Sequence, residues 1–240
     1  MTTKMRQLPI TDLARVATMD PPLRREALEQ VKDGGGSGSY RPTREKLPDI
    51  VNRRPGVFAS ERASWDIIRK DLIRLSKSDK EENMNLRAAR AIYDYCVAEK
   101  VQARELVGFP LSFSVGLKLT CWSPALFIYP DRAAVPFFDM RRKYGLTPRA
   151  VAFMFSVMHI ALRENNPDYD IVELETLRLS NTPSRAVQPI SEQGVRLYTY
   201  DELEVMVSET HALWVEIQAK RGEERRRSGD KWGKDSLFGE

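Results

Sequence analysis

Apolar residues recur at helical spacing through most of this chain and change to strand-like alternation only in its central part. Residues 1–33 read as two short helices. Thr11 or Asp12 is placed to cap the first, and Asp20 followed by Pro21 and Pro22 opens the second, since proline suits a first helical turn. Leu23, Ala27, Leu28 and Val31 give the second helix an apolar face. Gly34 to Ser39 is a flexible linker by composition. Tyr40 to Asn52 reads as a turn and a short helix, and Arg53 to Ser60 as a loop punctuated by Pro55-Gly56. Helical spacing resumes at Trp65, Ile68, Leu72 and Leu75. It continues in a helix expected from about Asn83 to Leu106, lined by Leu86, Ala89, Tyr93, Cys96 and Val97.

Strand patterns follow. Leu117, Leu119 and Cys121 alternate with polar residues, Leu126 to Tyr129 is a short apolar run, and Asp131-Arg132 turns into Ala134 to Phe138. These predict three antiparallel strands. Thr147-Pro148 starts an apolar helix bearing Val151, Met154, Phe155, Met158 and Leu162, which Asn165-Asn166-Pro167 ends. A strand is expected over roughly Tyr169 to Leu179, a polar loop over Ser180 to Gly194, and a short strand at Val195 to Tyr198. Leu203, Met206, Leu213, Trp214 and Ile217 mark a last helix from Asp201 to about Arg225. The fold class is mixed α/β (α+β). The expected divisions are a helical pair over 1–33, a linker over 34–39, a linking helical region over 40–82, a core with its closing helix over 83–227, and a flexible polar tail over 228–240.

Composition adds bounds. The 240 residues are 30% charged and 42% hydrophobic, and no run approaches the ~20 apolar residues of a membrane span. A cytoplasmic location is the expectation, with no membrane partner. Cys96 and Cys121 are too few for a thiolate zinc site, and His159 and His211 too few for a histidine-rich metal centre. Net charge is +4, but the cations cluster at Arg53-Arg54, at Arg141-Arg142-Lys143, and between Lys220 and Lys234. Arg141, Arg142, Lys143, Arg225, Arg226 and Arg227 are the candidates for phosphate contacts with DNA. No Walker loop, GxGxxG or nucleophile-elbow sequence is present. Two aliphatic-aromatic peptides suit a pocket on a partner: Gly56-Val57-Phe58, and Leu237-Phe238 near the C-terminus.

The order helix, three strands, helix, strand resembles the core of the PD-(D/E)XK nuclease fold, closest to its RecB-like branch. Ala134 to Arg141 resembles that branch's apolar strand ending in Asp-x-Lys; Ile171 to Leu179 its following strand; and Tyr200-Asp201-Glu202-Leu203-Glu204 the start of its C-terminal helix. The resemblance implies a divalent metal, usually Mg²⁺, held by two carboxylates with a lysine beside it. Asp139 would be the second carboxylate. Arg141 stands where the lysine belongs and cannot readily give up a proton. Ser123, Pro124 or Ala125 stands where the first carboxylate belongs. An active nuclease would need Asp139 with a further acid such as Glu99 or Glu105. The leading expectation is therefore a non-catalytic protein without a cofactor. The N-terminal helix pair, the Gly-rich joint and Tyr40-Arg41-Pro42-Thr43-Arg44 also resemble the SocB-type bacterial toxins. That resemblance implies a non-enzymatic protein that binds the sliding clamp, blocks replication elongation and is controlled by an antitoxin promoting its proteolysis. Under it, Gly56-Val57-Phe58 is the better docking candidate.

Overall fold

The computed structural model describes residues 7–31, 40–54, 62–106, 110–119, 125–142, 145–183 and 185–235, with backbone alone at 54, 225 and 228–235. The N-terminal helices are α1 (Ile10–Ala17) and α2 (Pro21–Glu29). The short helices α3 (Arg41–Glu45) and α4 (Leu47–Ile50) lead into strand β1 (Arg53–Arg54). Helix α5 (Trp65–Leu75) precedes α6 (Asp79–Ala98). Ser78 caps α6 by accepting the Glu81 N–H, while the Glu81 carboxylate reaches back to the Lys77 N–H.

Helix α6 ends earlier than apolar spacing predicts. Lys100 adopts a left-handed φ of 52°, and the Val101 N–H turns back to the Cys96 carbonyl. The chain then enters a strand, β2 (Gln102–Arg104), that was expected to be helix. No glycine marks this stop, so the sequence carries no punctuation there.

Strand β2 pairs antiparallel with β5 (Leu126–Ile128), and β5 pairs antiparallel with β6 (Ala133–Asp139). Leu119 belongs instead to a separate ladder of β3 (Leu111–Ser112) and β4 (Lys118–Leu119), so the first of the three antiparallel strands is β2. Helix α7 (Pro148–Met158) is capped by the Thr147 hydroxyl and continues as a π turn, His159–Arg163. The chain returns as β7 (Glu173–Leu179), parallel to β6, after a 3-10 turn that takes the first part of the expected strand. Strand β8 (Val187–Ser191) closes the sheet in order β1-β2-β5-β6-β7-β8. It lies where a loop was expected, and 195–198 is not a strand. An edge strand with little burial and a proline leaves little alternation to read. Helix α8 (Tyr200–Asp235) runs past Arg225, so 228–235 is helix rather than tail. The run is rich in Glu, Lys and Arg, which favour continuation of an established helix.

Alternation along β6 and β7 divides the core between the two faces of the sheet. Val135, Phe137 and Leu174 join α1, α7 and the start of α8 on one face. Ala134, Phe138, Leu177 and Leu179 join α4, α5 and α6 on the other. Helix α7 is buried on every side, which explains its uniform apolarity. Pro136 is tolerated because β5 pairs only with Ala133 and Ala134, leaving the proline beyond that ladder. No helix among the described residues is long and apolar enough to cross a membrane.

Candidate functional site

Strand β6 delivers Asp139 to its C-terminal end, where its side chain is fully buried. Oδ2 accepts the Leu146 N–H at 2.9 Å and Oδ1 accepts the Arg141 N–H at 3.4 Å. Arg178, its register partner on β7, brings Nε to 3.5 Å of Oδ2. The same guanidinium donates to the Leu146 carbonyl. Gly145 lets the chain pass closely, since a Cβ there would lie 3.2 Å from Oδ2. The carboxylate thus organises the loop between β6 and α7, and both its oxygens are engaged by protein N–H groups.

Arg141 faces α1. It donates to Asp12 Oδ1 at 2.7 Å and to Thr11 Oγ1 at 2.7 Å. Thr11 and Asp12, expected as caps, lie inside α1 and receive this arginine instead; Pro9 precedes the helix. Arg142 is exposed and belongs to the opposite side of the sheet, with α6. The basic triplet therefore does not form one surface, and Lys143 lies outside the described residues. Arg226 and Arg227 are exposed on α8, and Arg225 is described by its backbone alone. Glu99 and Glu105, considered as further acids, are exposed at the ends of α6 and β2. Among the described residues no three His, Cys, Asp or Glu side chains are grouped to hold a metal. Burial pushes the Cys96 thiol up to about 12, far from a reactive thiolate.

Gly56, Val57 and Phe58 lie outside the described residues, as do Leu237 and Phe238. The flanks of the first peptide are well defined. Asn52, at φ 57°, turns the chain into β1, which is hydrogen-bonded in parallel to β2. On the return side, Arg62 donates to the Ile50 and Val101 carbonyls, each at 3.1 Å, and its guanidinium lies 5.5 Å from the Tyr93 ring centroid. Arg54 and Arg62 therefore mark fixed points at one end of the sheet. Leu237-Phe238 follows α8, which extends to Asp235.

Sequence reasoning missed a second buried acid. Glu175 on β7 is 2% exposed and accepts the Tyr129 hydroxyl at 2.5 Å and Arg132 at 3.0 Å. Tyr95 extends the chain of hydroxyls at 3.1 Å from Tyr129, and Arg132 stacks 3.8 Å from the Tyr129 ring centroid. Burial raises the Glu175 pKa despite these donors. Its period-two phase with Leu177 and Leu179, both core residues, was the available signal.

A family model described as sliding clamp-binding bacterial toxin SocB matches residues 11–224. The DNA replication inhibitor toxin SocB of Caulobacter vibrioides (strain NA1000 / CB15N) is 34% identical over 229 residues, which cover 94% of this chain and 96% of the relative. No solved structure matches. With a family model spanning most of its length and a relative aligned almost end to end, the chain belongs to the SocB family of sliding clamp-binding bacterial toxins.

Proposed function

We propose that this protein binds the bacterial sliding clamp and thereby inhibits DNA replication, docking through Val57 and Phe58. The observation that carries the reading is the family match over residues 11–224, supported by similarity to a replication inhibitor along nearly the whole chain. The described flanks of 55–61 support the choice of peptide, because β1 fixes one flank to the sheet and Arg62 fixes the other to the Ile50 and Val101 carbonyls. Fixed flanks lower the ordering cost of docking relative to a long free tail. Control by an antitoxin that promotes proteolysis completes the proposal.

The core is proposed to be a nuclease-like scaffold without catalysis. The order of α6, β2, β5, β6, α7 and β7 supports the scaffold, and the N–H groups gathered on Asp139 support a structural role for that carboxylate. DNA contact by Arg142, Arg226 and Arg227 is the competing use of the surface.

Capture by purified sliding clamp tests the docking assignment. Phe58→Ala is expected to weaken capture by about tenfold or more, as loss of a docking aromatic does, while Phe238→Ala leaves it unchanged. Absence of binding by the unmutated chain sinks the proposal. Incubation of DNA with the protein and Mg²⁺ or Mn²⁺ tests the absence of catalysis. Cleavage that disappears in Asp139→Asn would overturn it.

A further inference from the structure

On the face of the sheet away from Arg141, a cavity of about 360 Å³ lies between α6 and the segments that follow β6 and β7. Helix α6 contributes Lys80, Asn83, Met84 and Arg87, residues spaced so that one stripe of the helix faces the cavity. Arg142 and Arg185 approach from the sheet side, and Tyr40 completes the wall. Four cations therefore converge on one small volume. None of the four is ion-paired among the described residues.

Arg185 distinguishes this site from an ordinary basic surface. It is 2% exposed, and it forms no direct ion pair among the described residues; the buried Asp139 carboxylate acts on it only through space. Its Nη2 donates to the Met140 carbonyl at 2.5 Å and to the Tyr40 hydroxyl at 3.2 Å, while Nη1 has no hydrogen-bond partner. Its backbone is held at φ 53°, in the left-handed region that disfavours side chains. The Arg185 N–H bonds the Thr182 carbonyl, and the Ser180 N–H bonds the Ala186 carbonyl, so the turn enforces that conformation. A buried charge without a directly paired counter-ion, held in a left-handed turn, is costly twice over, and such costs persist where they serve a function.

The chemistry selects the ligand. A single carboxylate would leave most of this charge unanswered. A di- or triphosphate carries several negative charges and many acceptor oxygens, which planar guanidinium forks match well. The volume falls within the range of small-molecule sites. Asn83 offers both a donor and an acceptor, and Tyr40 and Met84 offer apolar surface, for a group attached to the phosphates. We propose that this cavity binds the polyphosphate group of a small phosphorylated ligand of the nucleoside di- or triphosphate class. None of its lining residues belongs to the proposed clamp-docking peptide.

Titration calorimetry on the full chain, with pyrophosphate and ATP at fixed ionic strength, tests the assignment. One-to-one binding of both is expected, with ATP the tighter. Arg142→Gln and Lys80→Gln, both at exposed residues, are each expected to weaken binding by about tenfold, as loss of a charge-assisted contact does. Arg185→Lys retains a charge but loses the fork and should weaken binding at least as much; circular dichroism checks its fold. Arg90→Gln, on the same helix but outside the cavity, should bind as the parent does. No binding of either ligand overturns the proposal, as does an equal loss in Arg90→Gln. A short duplex DNA that binds more tightly than ATP and depends on Arg142 would also overturn it. Clamp capture is expected to be unchanged in Arg142→Gln, so this test and the docking test fail independently.

Discussion

Asp139 and Glu175 occupy neighbouring strands, β6 and β7, and both are withdrawn from water, but they point to opposite faces of the sheet. Asp139 takes its main hydrogen bond from Leu146, seven residues along the chain. Glu175 takes its bonds from Tyr129 and Arg132, more than forty residues away in sequence. One carboxylate therefore shapes a local loop, whereas the other joins the β5–β6 turn to a distant strand. The difference teaches how to weigh a buried acid. Burial alone does not indicate metal chemistry; the identity of the donors does, and both acids here are surrounded by donors.

The largest test removes the local anchor. Asp139→Ala leaves the Leu146 N–H without its acceptor and Arg178 without its ion-pair partner, and should lower unfolding free energy by about 3–5 kcal/mol in urea titration. A variant as stable as the parent would break the structural assignment, because relief of repulsion at a vacant metal site would act in that direction. Tyr129→Phe removes the hydroxyl from Glu175 and should cost about 1–3 kcal/mol.

The acidity of Glu175 sharpens the comparison further. Its folded pKa is raised above the ordinary glutamate value by burial, so between that value and the raised one the folded state holds more protons than the unfolded chain. Stability from this group consequently falls as pH rises through that window, by at most about 1.4 kcal/mol per pH unit for one proton. Denaturant midpoints measured across the window should slope less in Glu175→Gln. An unchanged slope would assign the effect to other groups. The smallest effect concerns α1: a double-mutant cycle on Arg141→Ala and Asp12→Ala should give a coupling of about 0.5–1 kcal/mol for this partly exposed pair. Zero coupling would leave Arg141 available to another partner.

Strong local signals were readable from the sequence. Thr147-Pro148 with the apolar run behind it gave α7, and Ala134 to Phe138 gave the centre of the sheet. Asp139 was recognised as a strand-end acid beside an arginine, but its donors depend on how the chain folds back. Features set by distant contacts were hidden. Lys100 stops α6 through a backbone conformation that lysine rarely adopts, and nothing nearby announces β2. Arg141 reads as part of a basic triplet, whereas its partners lie about 130 residues earlier, on α1. Arg185 sits in what reads as an ordinary polar loop, and only the fold reveals that its charge is enclosed. In each case the missing information is a tertiary partner, which neither propensity nor periodicity encodes.

The N-terminal helices are held almost entirely by residues synthesised long after them. Arg24 pairs with Glu209 at 2.6 Å, Arg25 with Glu216 at 2.9 Å, and Arg221 donates to the Glu29 and Val31 carbonyls at the end of α2. Leu28 packs with Trp214 and Ile217. At a ribosomal rate of roughly 5–20 residues per second, α2 waits about ten to forty seconds for its platform to be made. Throughout that interval its apolar stripe has little beyond Val16 of α1 to meet, so this early-made segment is among the last to be shielded from chaperones and proteases.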